Sequence, residues 1–460
     1  MEVSPEDLYK DFMDKTIDKD SLTEQLSSII ENSRNLQVRV LSIQILGKIE
    51  LNSNSVLIKT YNRLFDLLEN LIISDSNELI RNEAAILLYK IFKTRSLIPM
   101  KWALLHDESP RCLKTIHLLL MEIISELNLN NKKESYSILR KHVIEIEDKD
   151  FRIDIESNLV NNNEKYFSKA NLIKILTNYF TFIYLRKAFW RIKYRIMDAT
   201  LVELDFSFKV LTKLPQALKF LKFLKKLTLK YNQIMNLPEW IGELSSLEQL
   251  NLNINNIATI PTSISSLIQL KELYLWKNEL ESLPESIGNL KNLKKLNLRL
   301  NQLRNLPNTL GNLSNLRELD LHDNKLVSIP KSISHLKCLE VLNLSWNLLN
   351  ELPQAIYNLS SLKVLDLGRN ELKALSSTID HLLSIEILDL SENKLRKLPQ
   401  TIGNLHSLKV LNLSRNELRD IPISISNIPL LEELYLVDNY INELPSNFYE
   451  LEEKGLKIII

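Results

Sequence analysis

Residues that mark several common functional classes are scarce in this 460-residue sequence. It contains seven glycines and no GxxxxGK segment, so it lacks the loop that cradles a nucleotide phosphate. Its two cysteines, Cys112 and Cys338, are too few for a disulfide framework. The histidines form no HExxH motif, and no CxxC motif occurs. We therefore predict no catalytic residues, no metal and no cofactor, and we expect a protein that is not an enzyme.

Long apolar runs are also missing. The start, MEVSPEDLYK, does not have the basic and then apolar character of a signal sequence. The longest uncharged apolar run, Leu176 to Leu185, is about half of the roughly 20 residues that a membrane span requires. The net charge of +1 points to no class of partner. These features predict a cytoplasmic protein.

The N-terminal third has the apolar spacing of amphipathic helices, and it contains a weak internal repeat. The segments Asn35–Ile49 and Asn77–Ile91 align over fifteen residues at a spacing of 42, and Ser109–Ile123 is a looser third copy. A period near 40 with two helices per unit resembles HEAT or armadillo repeats. We predict a HEAT-like helical domain over residues 1–163, with an irregular helical bundle as the alternative.

A basic and aromatic segment follows, and we predict that residues 164–200 form a connecting and capping helix. The stretch Lys169–Ile196 has the pattern of one or two helices rich in aromatic residues. No acidic residue occurs between Lys165 and Met197, and none occurs between Phe206 and Lys230. This charge run crosses the start of the repeats described below.

Three interpretations of the basic segment stay open. In the first, its apolar face closes the open end of a stacked array, and its basic face is solvated or pairs with the acidic stretch Glu145–Glu156. That apolar face consists of Phe180, Ile183, Leu185, Phe189 and Ile192. In the second, Arg186, Lys187, Arg191 and Lys193 contact an anionic membrane. In the third, the basic and aromatic residues of 165–230 contact nucleic acid.

The remainder of the chain is a regular repeat with a period of 23 residues. The unit reads LxxLxLxxNxLxxLPxxIxxLxx, and its first residue is position 1. Polar residues alternate with the leucines at positions 4 and 6, which predicts one half-buried strand per unit. We predict eleven units and a terminal half-unit over residues 201–460. The units start at Leu201, Leu224, Leu247, Leu270, Leu293, Leu316, Leu339, Leu362, Ile385, Leu408 and Leu431.

This pattern is identified as a leucine-rich repeat, and the 23-residue form resembles the intracellular Ras-group repeats of animal signalling scaffolds. The resemblance implies an α/β solenoid: a right-handed horseshoe whose concave face is a parallel sheet, here preceded by the all-α domain. It also implies a scaffold that binds a protein partner, with small GTPases, phosphatases and kinases as the partner class. The cysteine-rich caps of secreted members are absent, in agreement with a cytoplasmic protein.

Departures from the repeat mark its ends and one internal unit. In the first unit Lys209 replaces the position-9 asparagine and Phe206 replaces a leucine, as expected for a cap. In the eighth unit Ser376 replaces the proline, so we expect a looser turn there. At the C-terminus Ile458 and Ile460 fit strand positions 4 and 6 after a one-residue insertion. That apolar edge is expected either to meet a partner or to stay exposed.

Positions 3, 5, 7 and 8 are expected to face solvent on the concave side, so they are free to carry function. Positions 7 and 8 hold large aromatic and basic residues in the early units and small residues at position 7 from Ser345 to Ser414. Exposed Trp, Tyr and Arg often dominate binding energy at interfaces. The predicted partner-binding residues are Lys230, Tyr231, Tyr274, Trp276, Lys277, Arg299, His322 and Trp346.

Simpler interpretations exist for parts of this patch. Trp276 and Arg299 can stack on each other as a cation–π pair worth about 0.5–1 kcal/mol, without binding anything. His322 lies near Asp320 and Asp323, but no motif places a nucleophile beside it, so we interpret this group as polar surface. The small position-7 residues can form a groove for a protruding element of a partner.

Overall fold

The computed structural model describes residues 4–52, 54–130, 133–453 and 455–460. It divides into two compact units, Met1–Leu201 and Val202–Ile460. The first unit is mainly helical and includes the segment that we predicted as a connection. The second unit consists of the repeats.

The first unit is built from helices joined by short loops. They are α1 (Pro5–Met13), α2 (Lys19–Asn32), α3 (Leu36–Lys48), α4 (Ile58–Ser74), α5 (Glu78–Phe92), α6 (Leu97–His106), α7 (Pro110–Leu129), α8 (Lys133–Ile144), α9 (Lys149–Val160) and α10 (Lys169–Ala188), with a 3₁₀ turn at Lys93–Ser96.

The weak sequence repeat coincides with equivalent helices. Its copies begin α3, α5 and α7, and their first residues Asn35, Asn77 and Ser109 are the N-caps that accept backbone hydrogen bonds. Arg39 of α3 pairs with Asp75 at the end of α4, with a distance of 2.5 Å from Nη2 to Oδ2. One copy later, Arg81 of α5 pairs with Asp107 at the end of α6 (Nε–Oδ2 2.8 Å). These matched contacts support a repeated helix pair, while the HEAT assignment itself stays a prediction.

The predicted helical segment Lys169–Ile196 is only partly helical. The helix α10 ends at Ala188, and the strand β1 covers Lys193–Met197, so the prediction is wrong for the last residues. Asp198 and Ala199 both have positive φ, 51° and 48°, which is the geometry of a two-residue hairpin turn. The backbone between Ala188 and Lys193 also leaves the helical region, with φ at 52° for Arg191. A period of apolar residues cannot show this turn because it depends on two backbone angles.

The second unit stacks one strand per repeat in chain order. All neighbouring pairs from β2 to β13 are parallel and in register, as in the pairing of Leu296 with Leu273 and Leu319. The strands are β2 (Thr200–Asp205), β3 (Lys226–Thr228), β4 (Gln249–Asn251), β5 (Glu272–Tyr274), β6 (Lys295–Asn297), β7 (Glu318–Asp320), β8 (Val341–Asn343), β9 (Val364–Asp366), β10 (Ile387–Asp389), β11 (Val410–Asn412), β12 (Glu433–Tyr435) and β13 (Lys457–Ile459). This confirms the predicted parallel repeat solenoid.

Each unit folds around its own apolar positions. In the fifth unit, Leu296 and Leu298 point inward from β6, and they are 1% and 0% exposed. Pro307 then precedes a 3₁₀ turn, and the return limb buries Leu310 and Leu313 completely. Each such side chain contributes about 1.5–3 kcal/mol through removal from water. The same plan continues to the last complete unit, where α11 (Asn447–Glu453) replaces the 3₁₀ turn.

The position-9 asparagines form the hydrogen-bonded column that the sequence predicts. The Nδ2 of Asn301 donates to the carbonyls of Leu298 in its own unit and of Leu275 in the preceding unit, both at 2.9 Å. Its Oδ1 accepts from the backbone N–H of Leu280 at 3.1 Å. The same contacts recur around Asn278 and Asn324. Each asparagine therefore joins two units, and each carbonyl accepts from two successive asparagines, as Leu298 does from Asn301 and Asn324.

The residue before each asparagine has an unusual backbone. Position 8 has φ between 52° and 60° in every unit, including at the β-branched Ile254. A non-glycine residue reaches this region only when its surroundings impose it. The first unit has the same turn at Phe208 although Lys209 replaces its asparagine, so position 8 projects its side chain at the end of the strand whatever residue occupies it.

The departures from the pattern have clear structural consequences. Phe206 is fully buried, as expected for a capping unit. Ser376 keeps φ −69° and ψ 149°, close to the −68° and 147° of Pro307, so the expected loosening of its turn is not seen. Ile458 pairs with Leu434 at position 4, which confirms the inserted residue in the half-unit, while Ile460 is 72% exposed.

Candidate protein-binding surface on the repeat sheet

One side of the repeat sheet faces solvent, and we call it the concave face. Strand residues at positions 3 and 5 and the following position 7 point to this side, opposite the buried leucines. Because the strands pair in register, equal positions form straight rows with steps of roughly 4.8 Å. The chemistry of the concave face can therefore be described row by row.

The eight predicted partner-binding residues lie on or just after β3 to β8, and we call them the aromatic–basic patch. Tyr274 is in the row of position 5. Position 7 contributes Lys230, Trp276, Arg299 and His322, and position 8 contributes Tyr231, Lys277 and Trp346. Register places Tyr274 on β5 beside Asn297 on β6, and the patch residues of units four to seven lie on successive strands, whereas the third unit contributes none.

Trp276 and Arg299 are the centre of this patch. The Trp276 backbone N–H donates to Asn253 Oδ1 at 2.8 Å, which fixes the start of the turn. Its indole Nε1 is buried and has no hydrogen-bond partner within the described part of the chain. Arg299 is exposed, and no ion pair is recorded for it among the described residues. A partner can therefore reach a cation and an aromatic ring that the fold itself does not occupy.

Tyr274 and Tyr231 are held in place by contacts with other side chains of the chain. The Tyr274 hydroxyl donates to Glu272 Oε2 at 3.0 Å, and burial, with this carboxylate, raises the pKa of Tyr274 to about 12. Lys230 Nζ lies 6.0 Å from the Tyr231 ring centroid, and Tyr231 stacks on Phe208 at 4.4 Å between ring centroids. These contacts already fix the aromatic side chains, so the side chains lose little rotamer entropy when a partner binds.

A serine lies beside His322, which the sequence analysis did not anticipate. His322 Nδ1 is 2.7 Å from Ser345 Oγ, and that hydroxyl donates to Asn343 Oδ1 at 2.6 Å. The hydroxyl proton is directed to Asn343, so we assign a proton to His322 Nδ1. Burial lowers the pKa of His322, and the nearby Arg299 adds to this effect. Ser345 is only 5% exposed, so the arrangement is a buried hydrogen-bond chain.

The cation–π contact occurs at a different place from the one considered in the sequence. The guanidinium of Arg369 lies 3.8 Å from the centroid of the Trp346 ring. Arg369 also pairs with Glu392 (Nε–Oε2 2.6 Å), which in turn pairs with Arg415 (Oε1–Nη1 3.3 Å). Stacking of Trp276 on Arg299 is not among the contacts of the described residues. The charged residues at position 8 of the later units therefore pair with one another. We call Arg369, Glu392 and Arg415 the rim.

Two further rows of the concave face escaped the sequence analysis. Position 3 is apolar in four successive units, and we call these residues the apolar strip: Val341, Val364, Ile387 and Val410. Beside it at position 5 lie Asp366 and Asp389, which we call the aspartate pair and which are direct register partners. The apolar strip is visible in the sequence, because position 3 is charged or polar in the other units. The predicted patch was drawn mainly from positions 7 and 8.

The basic segment before the repeats makes several internal contacts. Arg186 Nη1 pairs with Asp148 Oδ2 at 2.9 Å, and Lys187 Nζ donates to the carbonyl of Asp107 at 2.9 Å. Arg191 stacks over Trp190 at 4.1 Å, and Lys193 is exposed on β1. Pairing with the acidic stretch Glu145–Glu156 was part of the first interpretation, so these contacts favour a structural role for the segment.

The described residues hold no group of three or more His, Cys, Asp or Glu side chains arranged for a metal ion. Among the same residues, no helix combines the length and the apolar character needed to cross a bilayer.

Comparison with known families agrees with this architecture. Residues 204–322 and 261–347 match the model of a leucine-rich repeat region, and residues 351–395 and 384–441 match a leucine rich repeat model. The chain belongs to the leucine-rich repeat family, with a helical region before the repeats. No curated protein matches it.

Solved structures include relatives of the repeat unit. A leucine-rich repeat protein of Leptospira interrogans is 41% identical, with 56% of this chain and 65% of that one covered and a TM-score of 0.54. The repeat ectodomain of the Arabidopsis thaliana receptor kinase GASSHO1/SCHENGEN3, in complex with Casparian strip integrity factor 2, is 30% identical. It covers 54% of this chain and 31% of that one, with a TM-score of 0.50. The chain thus spans less than two thirds of the length of either protein.

Proposed function

We propose that this chain is a non-catalytic scaffold that holds a protein partner on the concave face of its repeat sheet, through the aromatic–basic patch. The observation that carries the proposal is the group of aromatic and basic side chains on a face where folding requires none; Arg299 at its centre is exposed, and Trp276 beside it is half-buried.

The comparisons support a protein-binding role in general terms. The receptor-kinase ectodomain that resembles the repeat unit was solved in complex with Casparian strip integrity factor 2. The 23-residue unit pattern extends the proposal to a cytoplasmic signalling scaffold of the Ras-group type, with a small GTPase, phosphatase or kinase as the partner. No structural observation favours the alternative of a membrane or nucleic-acid binder, since Arg186 and Lys187 already have partners within the chain.

Affinity capture from a lysate of the source organism, with mass spectrometry, tests the proposal. The Trp276→Ala/Arg299→Glu variant should lose at least one protein that the wild-type chain retains at about 0.5 M salt, where exposed charge contacts are screened. Arg304→Glu is the matched control, because Arg304 is also exposed and lies in the same unit but off the strand. Arg299→Glu alone covers the case in which loss of Trp276 unfolds the unit. If wild type and all variants retain the same proteins, the patch is not the binding site.

A further inference from the structure

The later half of the concave face carries a solvent-facing apolar strip. Val341, Val364, Ile387 and Val410 occupy position 3 of four successive units and pair in register across β8 to β11. Ile387 is 40% exposed. In the neighbouring units the same position holds Glu318 and Glu433, so the fold accepts a charged residue there. Four adjacent β-branched apolar residues on this face are therefore not a requirement of the repeat.

The adjacent row is acidic and lacks a counter-charge. Asp366 and Asp389 are opposite each other on β9 and β10, roughly 4.8 Å apart along the row. Asp389 accepts from Ser391 Oγ at 2.6 Å and from Asn412 Nδ2 at 2.9 Å, while Asp366 accepts from the Gly368 N–H at 3.0 Å. Within the described part of the chain, neither carboxylate has an ion pair with lysine or arginine.

The arginines that follow the aspartate pair in sequence already form other contacts. Arg369 stacks on Trp346 and pairs with Glu392, and Arg415 pairs with both Glu392 and Asp438. They form the rim at position 8 and do not neutralise the row at position 5. The aspartate pair consequently holds two like charges, partly buried, beside an exposed apolar strip.

Only small side chains lie between the apolar strip and the rim. Position 7 is small in these four units, with Ser345, Gly368, Ser391 and Ser414. Gly368 and Ser345 are buried, so the side chains of this row do not rise between the strip and the rim.

We propose that this surface docks an extended segment of a partner protein that carries a lysine or arginine beside apolar side chains. The apolar side chains cover the strip, and the cation lies between Asp366 and Asp389. The strip covers three interstrand steps, roughly 14 Å, which is the length of about four extended residues. Strip and aspartate pair are two residues apart along each strand, roughly 7 Å, which a long basic side chain can bridge while its stem stays on apolar surface.

Charge selects this occupant over others. An acidic segment, a nucleic acid or an anionic lipid surface brings negative charge to two uncompensated carboxylates and is repelled. A purely apolar segment buries the carboxylates without a counter-charge, which is costly. The inference rests on the proposed function and names the chemistry of the partner. It places this contact on β8 to β11, whereas the aromatic–basic patch is centred on β5 and β6.

Selection from a phage-displayed library of random peptides on the full-length chain tests the proposal. We expect the enriched peptides to combine lysine or arginine with Val, Ile, Leu or an aromatic residue. The best peptide, synthesised with a fluorescent label, should bind Asp366→Asn/Asp389→Asn at least tenfold more weakly than wild type. It should also bind Ile387→Lys at least tenfold more weakly. Asp205→Asn is the matched control, because Asp205 occupies position 5 of the first unit.

The other outcomes separate this inference from the proposed function. Enriched peptides that are acidic, or that bind the aspartate variant as well as wild type, overturn the inference. If their binding depends instead on Trp276 and Arg299, the proposed function stands and the inference falls. If no peptide is enriched over a solid phase without the protein, neither the inference nor the proposed function is supported. Self-association of the wild-type chain in sedimentation, abolished by Ile387→Lys, assigns the strip to a second copy and also overturns the inference.

Discussion

The backbone N–H of Ser376 donates a hydrogen bond to the phenolic oxygen of Tyr357 at 3.3 Å. Tyr357 is 1% exposed and occupies position 19, where seven of the other ten units have glycine or serine, such as Gly311 and Ser334. Ser376 occupies position 15 of the next unit, where proline is the rule, and proline has no N–H. The two departures from the repeat are therefore parts of one contact, in which a large buried hydroxyl is satisfied by the N–H that the missing proline frees.

Restoring the proline should destabilise the chain. The backbone angles at Ser376 already suit proline, which alone should stabilise by about 0.4–1 kcal/mol. Ser376→Pro nevertheless removes the donor to Tyr357, and an unpaired buried hydroxyl costs about 1–3 kcal/mol. We expect a net loss of about 1 kcal/mol in urea unfolding. Ser376→Ala, which keeps the N–H and removes only the hydroxyl, is the control.

A double-mutant cycle identifies the cause of that loss. In a Tyr357→Phe background no hydroxyl needs the donor, so Ser376→Pro should cost no more than Ser376→Ala, which likewise loses the hydroxyl that accepts from the Thr378 N–H. Equal effects of the proline in both backgrounds would show that the hydrogen bond is not responsible.

The asparagine column should be the most sensitive polar feature of the repeats. Asn301→Ala removes two donated hydrogen bonds of 2.9 Å and one accepted bond of 3.1 Å, all in a buried turn. Leu275 and Leu298 keep a second asparagine donor, so only the Leu280 N–H is left unpaired, and we expect a loss of about 1–3 kcal/mol. Asn297→Ala, four residues earlier on the concave face, should cost less than about 1 kcal/mol, because Asn297 is partly exposed. Similar losses for the two variants in urea unfolding would contradict this role of the column.

Two glycines should respond to alanine with opposite signs. At Gly311 a Cβ atom would lie 2.2 Å from the carbonyl oxygen of Ser332 in the next unit, so Gly311→Ala must push two units apart. Overpacking of this kind costs about 1–3 kcal/mol. At Gly47 in α3 the nearest atom is Leu87 Cδ1 at 3.7 Å, and Gly47→Ala should stabilise by about 0.5–1 kcal/mol through helix propensity. Thermal melts of both variants decide the signs, and a neutral Gly311→Ala would show that the units adjust freely.

The sequence predicted the parts of the fold that follow from strict periodicity. The apolar positions of the unit and the asparagine column follow from a fixed step of 23 residues, and the register of Ile458 with Leu434 follows from the same step with one inserted residue. The hairpin at Asp198–Ala199 could not be predicted this way, because it depends on two positive φ angles that leave no apolar pattern. The aromatic–basic patch was assembled from positions 7 and 8, and its binding role stays a prediction.

Side-chain contacts between neighbouring units were harder to predict than the rows themselves. The Ser345 hydroxyl meets His322 because the units stack in register, although the two residues are one full repeat apart. Arg369 reaches Trp346 for the same reason. The aspartate pair becomes visible only when position 5 is followed from strand to strand. A one-dimensional motif search cannot find such groups, because their spacing is the repeat length itself.

The aspartate pair should make the stability of the chain depend on pH in a defined direction. Burial raises the pKa of Asp366 above its ordinary value of 3.8, and the neighbouring Asp389 adds to the rise, while His322 opposes it. A carboxyl group with a higher pKa in the folded state holds its proton more tightly there. Its stabilising contribution is present below the unfolded pKa and is lost as the pH rises through the folded pKa. At pH 7 the charged Asp366 therefore weakens the fold.

Asp366→Asn should consequently raise the free energy of unfolding at pH 7, by up to about 1 kcal/mol, because it removes one of two like charges. The gain should shrink as the pH falls towards 3.8, where the wild-type carboxyl becomes protonated and resembles the amide. Urea unfolding at pH 7, 5 and 4 measures this trend, with Asp205→Asn as the control on the same row. A gain that is constant with pH would show that the charge of Asp366 is not its cause. A variant that is more stable at neutral pH yet binds basic peptides more weakly would show that the uncompensated charge serves binding at the expense of folding.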